Sequence, residues 1–163
     1  MRPTPCRTAV PRRVSSFPGT DWLADCSPTP TMVRKRWADE ELADIPAASW
    51  AVVEADLMRS IDALQSLGRA RRLGPVLVCP EADRAWWLVP HGPGALTLGE
   101  LPQVTVHKAP WTLRCPPAHE YTHSRGWLEK PDGSGRLTDP VDLGAALGLR
   151  HPIDLRELTR KAT

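Results

Sequence analysis

His119-Glu120-Tyr121-Thr122-His123 is the string in this chain with the most direct chemical meaning. It fits H-E-x-x-H, in which two imidazoles four residues apart on one helix face bind zinc while the glutamate activates water. Gly126 and Glu129 stand where the extended motif has its turn glycine and third ligand. Three departures weigh against that chemistry. Glu129 replaces a histidine, no methionine follows Met58 to form the turn beneath such a site, and Pro116-Pro117 and Gly126 confine any helix to the eight residues between them. Tyr121, Thr122 and Ser124 are only fair helix formers. A polar loop is the cheaper reading, in which His119 and His123 do not share a zinc ion.

The remaining candidates are weaker. His151 or Glu157 would be distant ligands, while His91, beside Gly92, and His107 read as surface or packed residues. Ser134, in Asp132-Gly133-Ser134-Gly135, lacks the G-x-S-x-G elbow of a nucleophile, and the same segment lacks the lysine of a phosphate-binding loop. Both point to a structural turn. Arg69, Arg71 and Arg72 are candidate phosphate contacts, with Arg34, Lys35 and Arg36 if the two groups fold together; solvated helix ends are the competing account. Cys6, Cys26, Cys79 and Cys115 form no C-x-x-C pair and read as reduced thiols.

Composition bounds the scaffold that must hold these residues. The chain has 163 residues, 41% hydrophobic and 25% charged, which suits one soluble domain without a membrane span. Eighteen prolines argue for short elements, and seven tryptophans against one Tyr and one Phe must supply much of the core. A net charge of +2 excludes a histone-like binder whose affinity comes from bulk positive charge. The N-terminal arginines are interrupted by prolines and lack the apolar run of a secretory signal, so the cytoplasm is the expected compartment.

Along the chain, residues 1–19 lack an apolar period and are expected to form a disordered tail that packs against nothing. Residues 20–150 are expected to form one α+β domain with a largely antiparallel sheet flanked by helices, and 151–163 a tail or short helix. Trp22 to Ala43 fits two short helices, and Ser49 to Val53 a strand. Leu57, Met58, Ile61, Leu64 and Leu67 stripe one helical face up to Gly68. Pro75 to Cys79 and Ala85 to Val89 read as a β-hairpin apolar on both faces. Strands are expected at Gln103–Lys108, Trp111–Cys115 and Gly126–Lys130, and a last helix opens at Asp139-Pro140.

The blocks Trp22-Leu23, Trp37, Trp50-Ala51-Val52-Val53, Gly74-Pro75-Val76-Leu77, Trp86-Trp87-Leu88-Val89-Pro90, Cys115-Pro116-Pro117 and Trp127-Leu128, with Pro131 to Gly135, form an ordered series. Over about residues 21 to 148 the series resembles small actinobacterial proteins related to the bifunctional DNA primase/polymerase (prim-pol) N-terminal domain. The family's V-x-x-P-P-S ending is similar to Cys115-Pro116-Pro117-Ala118, with Ala118 in place of Ser. The resemblance implies an acidic pair on a core strand for divalent metal and a histidine at the start of a later strand for nucleotide phosphates. Neither is evident: Glu54 and Asp56 are the acids nearest Trp50 to Val53, Asp56 reads as the charge opening the next helix, and the later strand begins Arg84-Ala85-Trp86.

What the resemblance implies is therefore the scaffold with a degenerate active site. The expected function is a non-catalytic module that binds nucleic acid or a nucleotide, with Arg69, Arg71 and Arg72 as candidate contacts. No catalytic, metal or cofactor-binding residue is assigned, and no cofactor or membrane partner is expected. One alternative is a small zinc-dependent metallopeptidase using His119, Glu120 and His123. A second is a protein-interaction domain, which an exposed apolar patch bearing Trp86, Trp87 or Trp111 would mark.

Overall fold

The computed structural model describes residues 17–68 and 73–148. Arg69, Arg71, Arg72, His151, Glu157, Cys6, the C-terminal segment and the expected N-terminal tail up to residue 16 lie outside the described residues.

Prolines set where the helices begin. Helices α1 (Pro18–Asp25), α2 (Pro30–Ala38), α4 (Pro93–Leu98) and α5 (Pro140–Gly148) all start on proline, whose fixed φ and missing N–H suit the first helical position. Asp139 caps α5, its Oδ1 accepting from Val141 N at 2.8 Å and Asp142 N at 3.1 Å. The remaining elements are β1 (Ala43–Pro46), β2 (Ala51–Asp56), α3 (Leu57–Gly68), β3 (Val76–Cys79), β4 (Arg84–Val89), β5 (Thr105–His107), β6 (Thr112–Cys115) and β7 (Gly126–Glu129). This is an α+β fold with mostly antiparallel sheet.

The main sheet has the order β5-β2-β4-β3-β7, with all of its strand pairs antiparallel. Strands β3 and β4 form the expected hairpin, pairing Val76 with Trp87 and Val78 with Ala85 across a short 3-10 turn. Side-chain alternation then divides the core in two. Val52, Leu77, Trp86 and Leu88 face a layer made of α1, α2 and the β1–β6 pair, where Leu23, Trp37, Ile45 and Leu113 are buried. Val53, Val76, Trp87 and Val89 face α3, α4 and α5. Coverage on both sides accounts for the uninterrupted apolar runs of β3 and β4.

Several expectations need correction. The fold begins before residue 20: α1 opens at Pro18, and Gly19 is buried so close to the Pro131 carbonyl that a Cβ there would overlap its oxygen. Strand β2 begins at Ala51 and continues past Val53 to Asp56, because its ladder with β4 extends through Glu54↔Trp86, Ala55↔Ala85 and Asp56↔Arg84. Asp56 ends the strand and also caps α3, accepting from Arg59 N at 2.7 Å. The buried row of α3 is Ser60, Ala63 and Leu67, while Met58 is 63% exposed. Ser60 belongs inside because its hydroxyl accepts the Trp87 indole N–H at 3.1 Å. Finally, α2 stops at Ala38, Glu40 adopts a left-handed φ of 60°, and Ala43 to Pro46 pairs with β6 as a strand.

Candidate functional site

The H-E-x-x-H string does not form a helix. His119 lies in a turn, and Thr122 and Arg125 close a tight reversal whose two backbone hydrogen bonds measure 2.9 and 3.0 Å. His123 and Ser124 occupy the centre of that reversal at φ 48° and 64°, outside any right-handed helix, so no helix face brings the two imidazoles together. His119 instead stacks on Phe17 at 3.9 Å and lies 3.3 Å from Thr20 Oγ1, which ties the loop to the start of α1. Among the described residues no group of three or more His, Cys, Asp or Glu side chains is placed to hold a metal ion. Two open clefts of about 480 and 650 Å³ flank Glu120 and Tyr121.

A different set of side chains converges on the main sheet. Strand β2 places Val52, Glu54 and Asp56 on the face toward α1 and α2, where Val52 is buried and Glu54 only partly so. Its side chain is 26% exposed. From β4, directly across the ladder, the Trp86 indole N–H donates to Glu54 Oε1 at 2.7 Å. From β5, His107 sits diagonally opposite, its Nε2 3.6 Å from the same oxygen. His107 stacks on Trp111 with ring centroids 4.2 Å apart and planes 8° from parallel. The 108–111 turn makes that stack, closed by Trp111 N donating to Lys108 O at 3.1 Å and held to Ala47 by two backbone bonds of 3.0 Å. On the other side of Trp86, the Arg125 guanidinium lies over the indole ring at 4.5 Å.

Arg125, Trp86, Glu54, His107 and Trp111 thus form one contact row across the sheet, with a cation at one end, a carboxylate near the middle and an aromatic stack at the other. Oε2 of Glu54 carries no hydrogen bond among the described residues. Comparison with protein-family models, curated proteins and solved structures finds no match. The row therefore has to be read from its own chemistry. It combines a hydrogen-bond acceptor, flat aromatic surface and one positive charge on a partly exposed face.

Sequence reasoning treated His107 as a surface or packed residue and set Glu54 aside for lack of a strand. Glu54 and Asp56 do share a strand face, as an acidic pair would. Asp56 is engaged as the cap of α3, and Glu54, Asp56 and His107 do not form a metal-holding group. The surface arginines of α2 are ion-paired locally: Arg34 with Asp21 at 3.4 Å and Asp25 at 3.3 Å, Arg36 with Glu41 at 3.2 Å. Ser134 belongs to the expected structural turn, its backbone N–H donating to Asp132 Oδ1 at 2.8 Å, and hydrogen bonds from Ser134 hold the Asp132 carboxyl below its ordinary pKa. Trp86 and Trp87 are buried and Trp111 is partly so, which leaves no exposed tryptophan patch among the described residues. Nor is any described helix long and apolar enough to cross a membrane.

Proposed function

We propose that this chain is a cytoplasmic primase/polymerase-like module that binds nucleic acid or a nucleotide without polymerising it. The observation that carries this reading is the row from Arg125 to Trp111. The half-buried rings of His107 and Trp111 are the part of the row that could stack a base, the Arg125 guanidinium could compensate a phosphate, and neither requires a net-basic protein. The resemblance noted in the sequence supplies the class of ligand, and the antiparallel sheet packed by helices is compatible with it.

The absence of polymerisation rests on the acids. Phosphoryl transfer through two metal ions needs carboxylates aimed at adjacent cations, whereas Asp56 accepts a backbone N–H and Glu54 an indole N–H. The test is a titration with single-stranded DNA and with nucleotides at two salt concentrations, beside a template-directed incorporation assay in Mg²⁺ and Mn²⁺. Salt-sensitive binding without incorporation is expected. Incorporation that disappears in Glu54→Ala and Asp56→Ala would overturn the non-catalytic part, and failure to bind any nucleic acid or nucleotide would overturn the whole reading.

A further inference from the structure

Glu54 is the member of the row able to distinguish one base from another. An ionised carboxylate only accepts hydrogen bonds, and it offers about four lone-pair positions. The Trp86 indole occupies a position on Oε1, and Oε2 is free of hydrogen bonds among the described residues. Trp86 and the neighbouring His107 flank the carboxylate, and Trp111, half-buried, covers one face of His107 and leaves part of its own ring at the surface. A base lying on that surface would turn its edge toward an acceptor-only group.

The bases differ sharply in what they present to such a group. Adenine and cytosine each place a ring-nitrogen acceptor beside their amino donor, so one position would face the carboxylate with like polarity. Uracil and thymine flank a single N–H with two carbonyl acceptors. Guanine alone presents two adjacent donors, the ring N–H and the exocyclic amine, which match two carboxylate lone pairs.

We infer that the Glu54–His107–Trp111 end of the row is a guanine-binding subsite, with Arg125 on the phosphate side. This rests on the proposed nucleic-acid or nucleotide binding. The ligand is a guanine base carried either by a single strand or by a free nucleotide.

The test uses the full chain and inosine, which lacks only the exocyclic amine. Tryptophan fluorescence or anisotropy titrations would compare a thymidine oligomer bearing guanosines with the same oligomer bearing inosines, and GMP with IMP. The oligomer and nucleotide arms separate the two sources. Guanine is expected to bind about ten-fold more tightly than hypoxanthine in at least one arm. Glu54→Gln is expected to bring that ratio close to one. Glu54→Asp, which retains the charge but withdraws the oxygens, should lower the same ratio and serves if the Gln variant does not fold. Equal affinities in both arms, or a guanine preference that survives in the Glu54 variants, would overturn the subsite while leaving nucleic-acid binding intact. No binding of any oligomer or nucleotide would overturn both.

Discussion

The Trp86 indole donates its N–H to Glu54 Oε1 at 2.7 Å across the β2–β4 ladder, and this bond fixes the orientation of the only acidic side chain in the contact row. Replacing Trp86 by Phe removes the donor and, because the side chain is buried, part of the core ring as well. Trp86→Phe is expected to lower the stability of the domain by about 2–4 kcal/mol, of which the lost hydrogen bond accounts for about 1–2 because water still reaches the partly exposed carboxylate. Urea unfolding of the two proteins measures it, and an unchanged midpoint and slope would contradict the assignment.

Gly19→Ala should be more damaging than a surface helix substitution has any reason to be. Glycine-to-alanine in a helix ordinarily stabilises, but here the new methyl group meets the Pro131 carbonyl oxygen and approaches Ala118 to 3.3 Å. The expected loss is about 2–3 kcal/mol, as for overpacked sites. Thermal unfolding would show it as a drop in Tm, and a rise in Tm would contradict the packing of α1 against the 131 segment.

Alkaline pH should destabilise the domain through Cys115. This thiol is fully buried, and burial holds its pKa far above the ordinary 9.0. The folded state therefore keeps its proton where the unfolded chain loses it, so stability is complete below pH 9.0 and falls as pH rises beyond it. The slope is about 1.4 kcal/mol per pH unit for one such thiol. Denaturant midpoints measured across that range should lose part of this slope in Cys115→Ala, and iodoacetamide should modify Cys115 only on unfolding.

Arg69, Arg71 and Arg72 join α3 to β3 along the chain. If they contact phosphates, the triple alanine variant should reduce the slope of log affinity for single-stranded DNA against log salt by about 2, three contacts at roughly 0.7 each. An unchanged slope would assign them to solvent alone.

Much of the framework was legible in the sequence because it depends on local signals. The β3–β4 hairpin, the α3 helix ending at Gly68 and the Asp139-Pro140 helix start each announce themselves within about fifteen residues, although the row that α3 buries differs from its apolar stripe. The candidate site was not legible, since its members come from β2, β4, β5, the 108–111 turn and the 122–125 reversal. Glu54 and Asp56 looked like the approach to a helix because Asp56 is indeed its cap. Only the register with β4 makes them strand residues as well. The H-E-x-x-H string misleads for the opposite reason: its spacing is visible, but the 122–125 reversal that destroys its helical geometry carries no glycine to signal a left-handed turn.

The order β5-β2-β4-β3-β7 leaves short strands outermost, three residues in β5 and four in β7, while six-residue β2 and β4 lie inside. Lys108 and then Pro110 follow β5; Lys130 and Pro131 follow β7. A second chain approaching either margin would find few unpaired N–H and C=O groups, a positive charge at the end of the run and a proline unable to donate. Short, charged and proline-terminated margins thereby discourage aggregation by edge-to-edge sheet growth.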